Sequence, residues 1–144
     1  MTIVVTGATG QLGRLVVESL LRRGASPTDV VATGRDEARL AELATSGVRT
    51  TVTDYADAAS LAAAFQGADR VLLISGSEVG QRLPQHTSVV EAAKAAGVRQ
   101  LLYTSISHAD TAQMALATEH RETERVIRES GIPFTFLRNS WYLE

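Results

Sequence analysis

A β-branched run from Thr2 to Thr6 leads straight into three glycines and then into an amphipathic segment. The run is typical of a buried parallel strand, and the segment from Gly13 to Arg23 repeats apolar residues at helical spacing. Of the glycines, Gly7 permits unusual dihedral angles, Gly10 lets a diphosphate approach the backbone, and Gly13 lets the helix pack closely on the sheet. We therefore predict a phosphate-binding turn; the alternative is a turn that only reverses the chain.

Strand-like and helix-like segments alternate along the rest of the sequence, often separated by glycine. This alternation predicts an α/β fold, a doubly wound parallel sheet of the Rossmann type with six strands in three layers, as one NAD(P)-binding domain over residues 1–144. The predicted strands are Thr2 to Thr6, Asp29 to Thr33, Val48 to Thr53, Arg70 to Ser75, Arg99 to Thr104 and Phe134 to Leu137. The predicted helices are Gly13 to Arg23, Asp36 (as cap) to Ser46, Ala58 to Phe65, Leu83 to Ala96 and Ala117 to Glu129.

Composition narrows the class of protein further. A length of 144 residues with 44% hydrophobic content suits a single globular domain. A net charge of −2 and a pI near 5.9 give no electrostatic footprint for nucleic acid. No segment reaches the roughly 20 apolar residues of a membrane span, and the first strand begins too early to follow a secretory leader. Because the sequence has no cysteine, we expect no disulfide or thiolate chemistry, and we predict a cytoplasmic location.

The end of the second predicted strand indicates which dinucleotide is bound. An acidic side chain about 20 residues past the glycines accepts from a ribose 2′-OH, whereas an arginine there receives a 2′-phosphate. Here the end of the strand reads Thr33-Gly34-Arg35, with no carboxylate at its tip. We expect Gly34 to leave room for the phosphate, Arg35 to bind it, and Arg39 to close the other side. NADP(H) is thus favoured over NAD(H); the alternative is a solvated Arg35 paired with Asp36 or Glu37.

Two further strand ends carry candidate ligand contacts. Asp54 and Tyr55 follow the third strand, where the carboxylate suits an adenine amino group and the ring suits one adenine face. A turn-forming Asp54 is the competing interpretation. Ser75 and Gly76 follow the fourth strand, near the point where the nicotinamide half is expected to cross the sheet.

Two kinds of chemistry find no support in the sequence. A tyrosine followed four residues later by lysine would provide a general acid of lowered pKa, but no tyrosine here has that partner. His86, His108 and His120 lie on separate predicted elements, and no HExxH pattern occurs, so we expect no metal centre and place these histidines at the surface or behind the site.

The sequence TGATGQLG at residues 6–13 resembles the atypical short-chain dehydrogenases of the NmrA-like group. Further segments narrow the likeness to the type 2 NAD(P)H:quinone oxidoreductases. They are LLISGSEVGQR at 72–82, PQH at 84–86, AAKAAG at 92–97, YTS at 103–105, HAD at 108–110, EH at 119–120, TE at 123–124, LRN at 137–139 and WY at 141–142. The family pattern suggests serine at Gly76 and glycine at Ser140. Because members of that family are longer, we expect their C-terminal substrate part to be absent from this chain.

The resemblance implies direct hydride transfer from NADPH to a quinone, without flavin or metal. It also implies a second possibility, a non-catalytic NADP(H) sensor that reports to a protein partner, and a third, a truncated cofactor-binding domain without turnover. The sequence leaves a homodimer open. For catalysis, the resemblance points to His120, Asn139 and Tyr142; an exposed pair of His120 with Glu124 is the alternative for that helix. Together with the motifs, it assigns cofactor binding to Gly7, Thr9, Gly10, Gln11, Leu12, Gly13, Arg35, Asp54, Tyr55, Ser75, Gly76, Tyr103 and Thr104.

Overall fold

The structure, a computed structural model, describes residues 1–140. Six strands alternate with five helices along this part of the chain. The strands are β1 Ile3–Val5, β2 Val30–Gly34, β3 Arg49–Val52, β4 Arg70–Leu73, β5 Gln100–Ile106 and β6 Phe134–Asn139. The helices are α1 Gln11–Arg22, α2 Glu37–Ala44, α3 Ala58–Phe65, α4 Arg82–Ala95 and α5 Ala115–Ser130, with a short 3₁₀ turn at Pro27–Asp29.

All six strands are parallel and lie in the order β3-β2-β1-β4-β5-β6. The chain winds outward in one direction from β1 to β3, then crosses back and winds in the other direction from β4 to β6. The predicted α/β doubly wound fold is thereby confirmed. The order reverses between β1 and β4, and in such sheets a crevice opens at the carboxyl ends of the strands at this point.

Helices cover the sheet on both faces and make the three predicted layers. On one face, Phe65 of α3, Val89 of α4 and Ile127 of α5 are fully buried in a core that includes Val71 and Leu101. On the other face, Val17 of α1 and Leu40 of α2 pack with Val5 and Val30. The central strands are therefore apolar on both sides, which explains their near-continuous valine and leucine runs.

Local capping explains where several helices begin and end. The Asp36 side chain accepts a hydrogen bond from the Arg39 amide at the start of α2, as predicted, and Asp57 does the same for Ser60 in α3. Gly131 ends α5 with a φ of 80°. Among the described residues, no helix has the length and apolar character needed to cross a bilayer.

Most boundaries differ from the sequence prediction by one or two residues, and two of these differences have a structural cause. Helix α1 begins at Gln11 rather than Gly13, because the extended backbone ends at Gly10, which is the N-cap residue. Strand β5 continues to Ile106, beyond the predicted Thr104, because its last residues pair with Arg138 and Asn139 of β6. In both cases the boundary depends on neighbours that the local sequence pattern does not contain.

Candidate functional site

A cavity of about 440 Å³ opens at the carboxyl ends of the central strands. The turn after β1 forms its floor, and the ends of β2, β3 and β4 form its walls. All the predicted cofactor residues except Tyr103 and Thr104 line it. Its lining comprises Gly7, Thr9, Gly10, Gln11, Leu12, Gly13, Gly34, Arg35, Thr53, Asp54, Tyr55, Ile74, Ser75, Gly76, Ser77, Glu78 and Gln85. The size is that of a small-molecule or cofactor site.

The three glycines of the first turn have different structural requirements. Gly7 has a φ of +61°, a conformation that residues with side chains rarely adopt. A Cβ on Gly13 would lie 2.1 Å from the Gly7 carbonyl oxygen, so α1 packs directly on the turn. A Cβ on Gly10 would meet only that oxygen, at 3.5 Å, which is an ordinary contact. The fold therefore does not require glycine at position 10, and its open surface faces the cavity.

The start of α1 leaves backbone donors at this cavity. Gly10 is the N-cap residue and makes no side-chain capping bond. The amides of Gln11, Leu12 and Gly13 are the first of the helix, so they have no carbonyl acceptor one turn back within it. Such amides, with the positive end of the helix dipole, fit an anionic diphosphate.

Arg35, just after β2, lies at the cavity, and Arg39 of α2 lies beside it. The Arg35 Nη1 lies 3.2 Å from Glu78 Oε1, so Arg35 pairs with a residue of the loop after β4 and not with Asp36 or Glu37. Arg39 donates to the Thr9 carbonyl at 2.9 Å and lines a second cavity, between α1 and α2.

The predicted role of Gly34 needs correction. The Thr9 side chain fills the space beside Gly34, because a Cβ there would lie 2.6 Å from Thr9 Cγ2. The space that a side chain at position 34 would fill is thus taken by Thr9 and not left for a phosphate, although Gly34 itself lines the cavity. Arg35 lines the cavity as predicted.

Asp54 and Tyr55 line the cavity while also serving the local structure. The Asp54 carboxylate accepts from the Ala56 amide at 2.9 Å, so the predicted turn role is present at a cavity residue. The Tyr55 hydroxyl donates to the Ile74 carbonyl at 2.8 Å and lies 2.6 Å from Thr6 Oγ1. Burial raises the pKa of Tyr55 to about 12, so this phenol stays protonated and fixes the ring at the cavity wall.

Buried residues behind the cavity hold Ser75 and Gly76. Thr104 does not line the cavity, but its Oγ1 accepts from the Ser75 amide at 2.9 Å. The Gly76 amide donates to His86 Nε2 at 2.9 Å. Burial lowers the pKa of the fully buried His86 to about 3, so the ring is neutral and its proton lies on Nδ1, 2.9 Å from Thr123 Oγ1. Thr104 and His86 therefore support the wall from behind.

Tyr103 is predicted to bind the cofactor, but its side chain is fully buried in the core and does not line the cavity. Its hydroxyl lies 2.5 Å from His120 Nδ1, and its ring packs edge-on against His86. Burial raises the pKa of Tyr103 and lowers that of His120, so both groups are neutral near pH 7. Position 103 faces inward because the strand's alternation points it at α4 and α5.

His120 and Asn139, two of the three residues predicted for catalysis, do not line this cavity. His120 and Glu124 are both buried, so the exposed helix pair considered above is wrong. Glu124 accepts hydrogen bonds from Ser105 and Arg138; burial alone raises its pKa, but these bonds outweigh burial and the pKa lies below its ordinary value. Asn139 ends β6 and does not line the cavity, and Tyr142 lies outside the described residues.

Sequence reasoning missed several residues of this site. Thr53, Ile74, Ser77, Glu78 and Gln85 line the cavity. Closeness to a predicted strand end could have indicated the first three, but not Glu78 or Gln85. Within residues 1–140, no three His, Asp or Glu side chains are grouped so that they could hold a metal ion.

Several known proteins are similar to this chain over nearly its whole length. Quinone oxidoreductase 2 of Escherichia coli is 51% identical over 142 residues, which cover 99% of this chain and 49% of that protein. The crystal structure of that enzyme complexed with NADPH matches with a TM-score of 0.93, over 98% of this chain and 50% of the other. The likeness to type 2 quinone oxidoreductases that the sequence motifs predict is confirmed.

A second solved structure and a family model extend the comparison. Triphenylmethane reductase of Citrobacter sp., complexed with NADP(H), is 40% identical with a TM-score of 0.93, over 99% of this chain and 50% of that one. This chain thus spans about half the length of the relatives it matches. The model of the NAD(P)H-binding family matches residues 7–144. The chain therefore belongs to the NAD(P)H-binding family.

Proposed function

We propose that this chain binds NADP(H) in the cavity after β1 and that the protein transfers a hydride from it to a quinone. The observation that carries the proposal is the cavity itself, whose floor is a glycine turn with free helix-start amides and whose wall presents Arg35. Gly10 strengthens it, because the fold leaves that position open and a close-lying ligand would need it to stay so. The likeness to an NADPH-dependent quinone oxidoreductase supports the choice of acceptor.

Different residues of the cavity would bind different parts of NADP(H). The amides of Gln11, Leu12 and Gly13 would bind the diphosphate, and Arg35 would bind the 2′-phosphate through its planar guanidinium. Asp54 and the Tyr55 ring would contact the adenine. Ser75 and Gly76, held by Thr104 and His86, would lie along the nicotinamide half.

When bound, reduced nicotinamide supplies a hydride directly to the acceptor, so we propose a reaction without flavin or metal. The chain's part is then to hold the two reactants close together and to exclude water. We keep His120, Asn139 and Tyr142 as proposed contacts of the acceptor end. Because His120 is buried and bound to Tyr103, its proposed role requires that the acceptor approach from the β5 and β6 side.

Oxidation of NADPH by 1,4-benzoquinone tests this function. We expect NADPH absorbance to fall faster with the protein than without it, with no added flavin, and we expect Arg35→Ala to weaken NADPH much more than NADH. Equal losses for the two coenzymes would contradict phosphate selection by Arg35. Saturable NADPH binding without turnover would contradict catalysis by this chain and favour either the sensor or the truncated cofactor-binding domain.

A cytoplasmic location and a homodimer stay predictions for this protein. The absence of cysteine supports the first. Sedimentation at micromolar concentration measures the second, since a dimer and a monomer differ twofold in mass.

A further inference from the structure

A carboxylate faces the arginine that we propose for phosphate binding. Glu78 Oε1 lies 3.2 Å from Arg35 Nη1, and Gln85 Nε2 donates to the other Glu78 oxygen at 3.2 Å. Arg35 directly follows β2, whereas Glu78 belongs to the loop after β4, so the pair spans the mouth of the cavity. An acidic residue such as Glu78 at a site for anionic ligands opposes their binding.

The loop that carries Glu78 is anchored on both sides of this residue. Before it, Gly76 donates to His86 and its carbonyl accepts from Arg82 Nε at 2.7 Å. After it, the Gly80 amide donates to Glu119 at 2.6 Å. These anchors leave only a few residues free between them, so the fold itself aims Glu78 at Arg35.

We propose that Glu78 is a specificity-determining residue that competes with a ligand's 2′-phosphate for Arg35. This inference rests on the proposed NADP(H) function. A ligand without the 2′-phosphate leaves the Arg35–Glu78 pair intact, whereas a ligand with it must replace the carboxylate. Glu78 therefore lowers the affinity only for ligands that carry a 2′-phosphate, and it limits the preference for NADP(H) over NAD(H).

The size of the effect follows from the exposure of the pair. The Arg35 and Glu78 side chains are 67% and 46% exposed, so solvent screens their attraction. Losing such a pair corresponds to a change in affinity of about 1.5-fold to 5-fold. Calorimetry can measure a change of this size in the affinity for one ligand when a second ligand, which lacks only the 2′-phosphate, is titrated for comparison.

Titrations with adenosine 2′,5′-diphosphate and with 5′-AMP test the proposal on the folded chain. We expect Glu78→Gln to raise the affinity for adenosine 2′,5′-diphosphate by about 1.5-fold to 5-fold and to leave the affinity for 5′-AMP unchanged. The control Glu129→Gln removes the same charge from an exposed pair with Arg125 on α5, and we expect it to change neither. In an Arg35→Gln background, Glu78→Gln is expected to have no effect on either ligand.

The outcomes separate this inference from the function on which it rests. If the unaltered chain prefers the diphosphate but Glu78→Gln leaves its affinity unchanged, or tightens 5′-AMP equally, competition by Glu78 is wrong and the proposed function stands. If the unaltered chain shows no preference but Glu78→Gln creates one, competition is supported. If both chains bind the two ligands equally, both proposals are wrong.

Discussion

His86 shows how a single buried residue supports the cavity without entering it. Both ring nitrogens are hydrogen bonded, to the Gly76 amide and to Thr123, and the side chain is fully buried. A protonated ring would lose the bond from Gly76, because Nε2 would then be a donor facing a donor. The structure therefore requires neutral His86 in order to keep the loop after β4 in place.

This requirement predicts a specific pH dependence of stability. The unfolded chain protonates His86 near pH 6.5, whereas the folded chain resists protonation down to about pH 3. Between these values the unfolded state binds the extra proton, so the free energy of unfolding falls by about 1.4 kcal/mol per pH unit below pH 6. We expect the free energy of unfolding of His86→Gln to lack this part of the pH dependence. Urea unfolding from pH 7 to pH 5 measures it in both chains. The contribution of His120 to the pH dependence is the same in both chains. An unchanged slope would contradict a neutral His86.

The glycine turn gives a second prediction at the level of single residues. Because a Cβ at position 13 would overlap the Gly7 carbonyl, we expect Gly13→Ala to lower the free energy of unfolding by about 2 kcal/mol or more. Gly10→Ala is the matched control in the same turn, since position 10 has a φ of −82° and room for a methyl group. Urea unfolding compares the two; equal stabilities would show that α1 does not pack on the turn as described.

Among the elements, α4 and α5 are joined by polar contacts as well as by apolar packing. Arg82 begins α4 and pairs with Glu119 of α5, and their side chains are only 12% and 18% exposed. Burial alone raises the pKa of Glu119, but bonds from Arg82 and the Gly80 amide outweigh it and lower the pKa. This pair sets the position of the loop that closes one side of the cavity.

Removing one partner of this pair is expected to leave a charge with little solvent around it. Glu119→Ala strands the Arg82 guanidinium, so we predict a loss of about 2 kcal/mol in the free energy of unfolding. Glu129→Ala on the same helix removes an exposed carboxylate and should cost no more than about 0.5 kcal/mol. Urea denaturation at pH 7 measures both, and a loss at Glu119 no larger than that at Glu129 would contradict the description of this pair.

The sequence patterns predict the locations of strands and helix caps well where these depend on neighbouring residues in the chain. Apolar and β-branched runs with glycine stops predict all six strands, and the prediction that Asp36 caps a helix is confirmed by its hydrogen bond from the Arg39 amide. The patterns failed where packing between distant elements decides. Tyr103 and His120 belong to different elements, and nothing in either segment indicates that their side chains meet in the core.

At the scale of the whole molecule, the strand order brings distant residues to one cavity. The reversal between β1 and β4 places the turn at residues 7–13 beside Ser75 and Gly76, although more than 60 positions separate them in the sequence. The fold rule for parallel sheets therefore predicted most of the cavity lining from the strand ends alone. It did not predict Glu78, whose position depends on how the loop after β4 is anchored, or Gln85, which lies in the first turns of α4.

Calorimetric titration of NADPH into the chain and its Gly10→Ala variant tests the central claim, that the glycine turn and the start of α1 bind the cofactor's diphosphate. A methyl group at position 10 fits the fold but occupies the surface that a diphosphate must approach. We predict saturable heat with one site in the unaltered chain and a loss of at least about tenfold in affinity in the folded variant, which corresponds to about 1.4 kcal/mol. No saturable heat, or equal affinity in the two chains, would contradict the account.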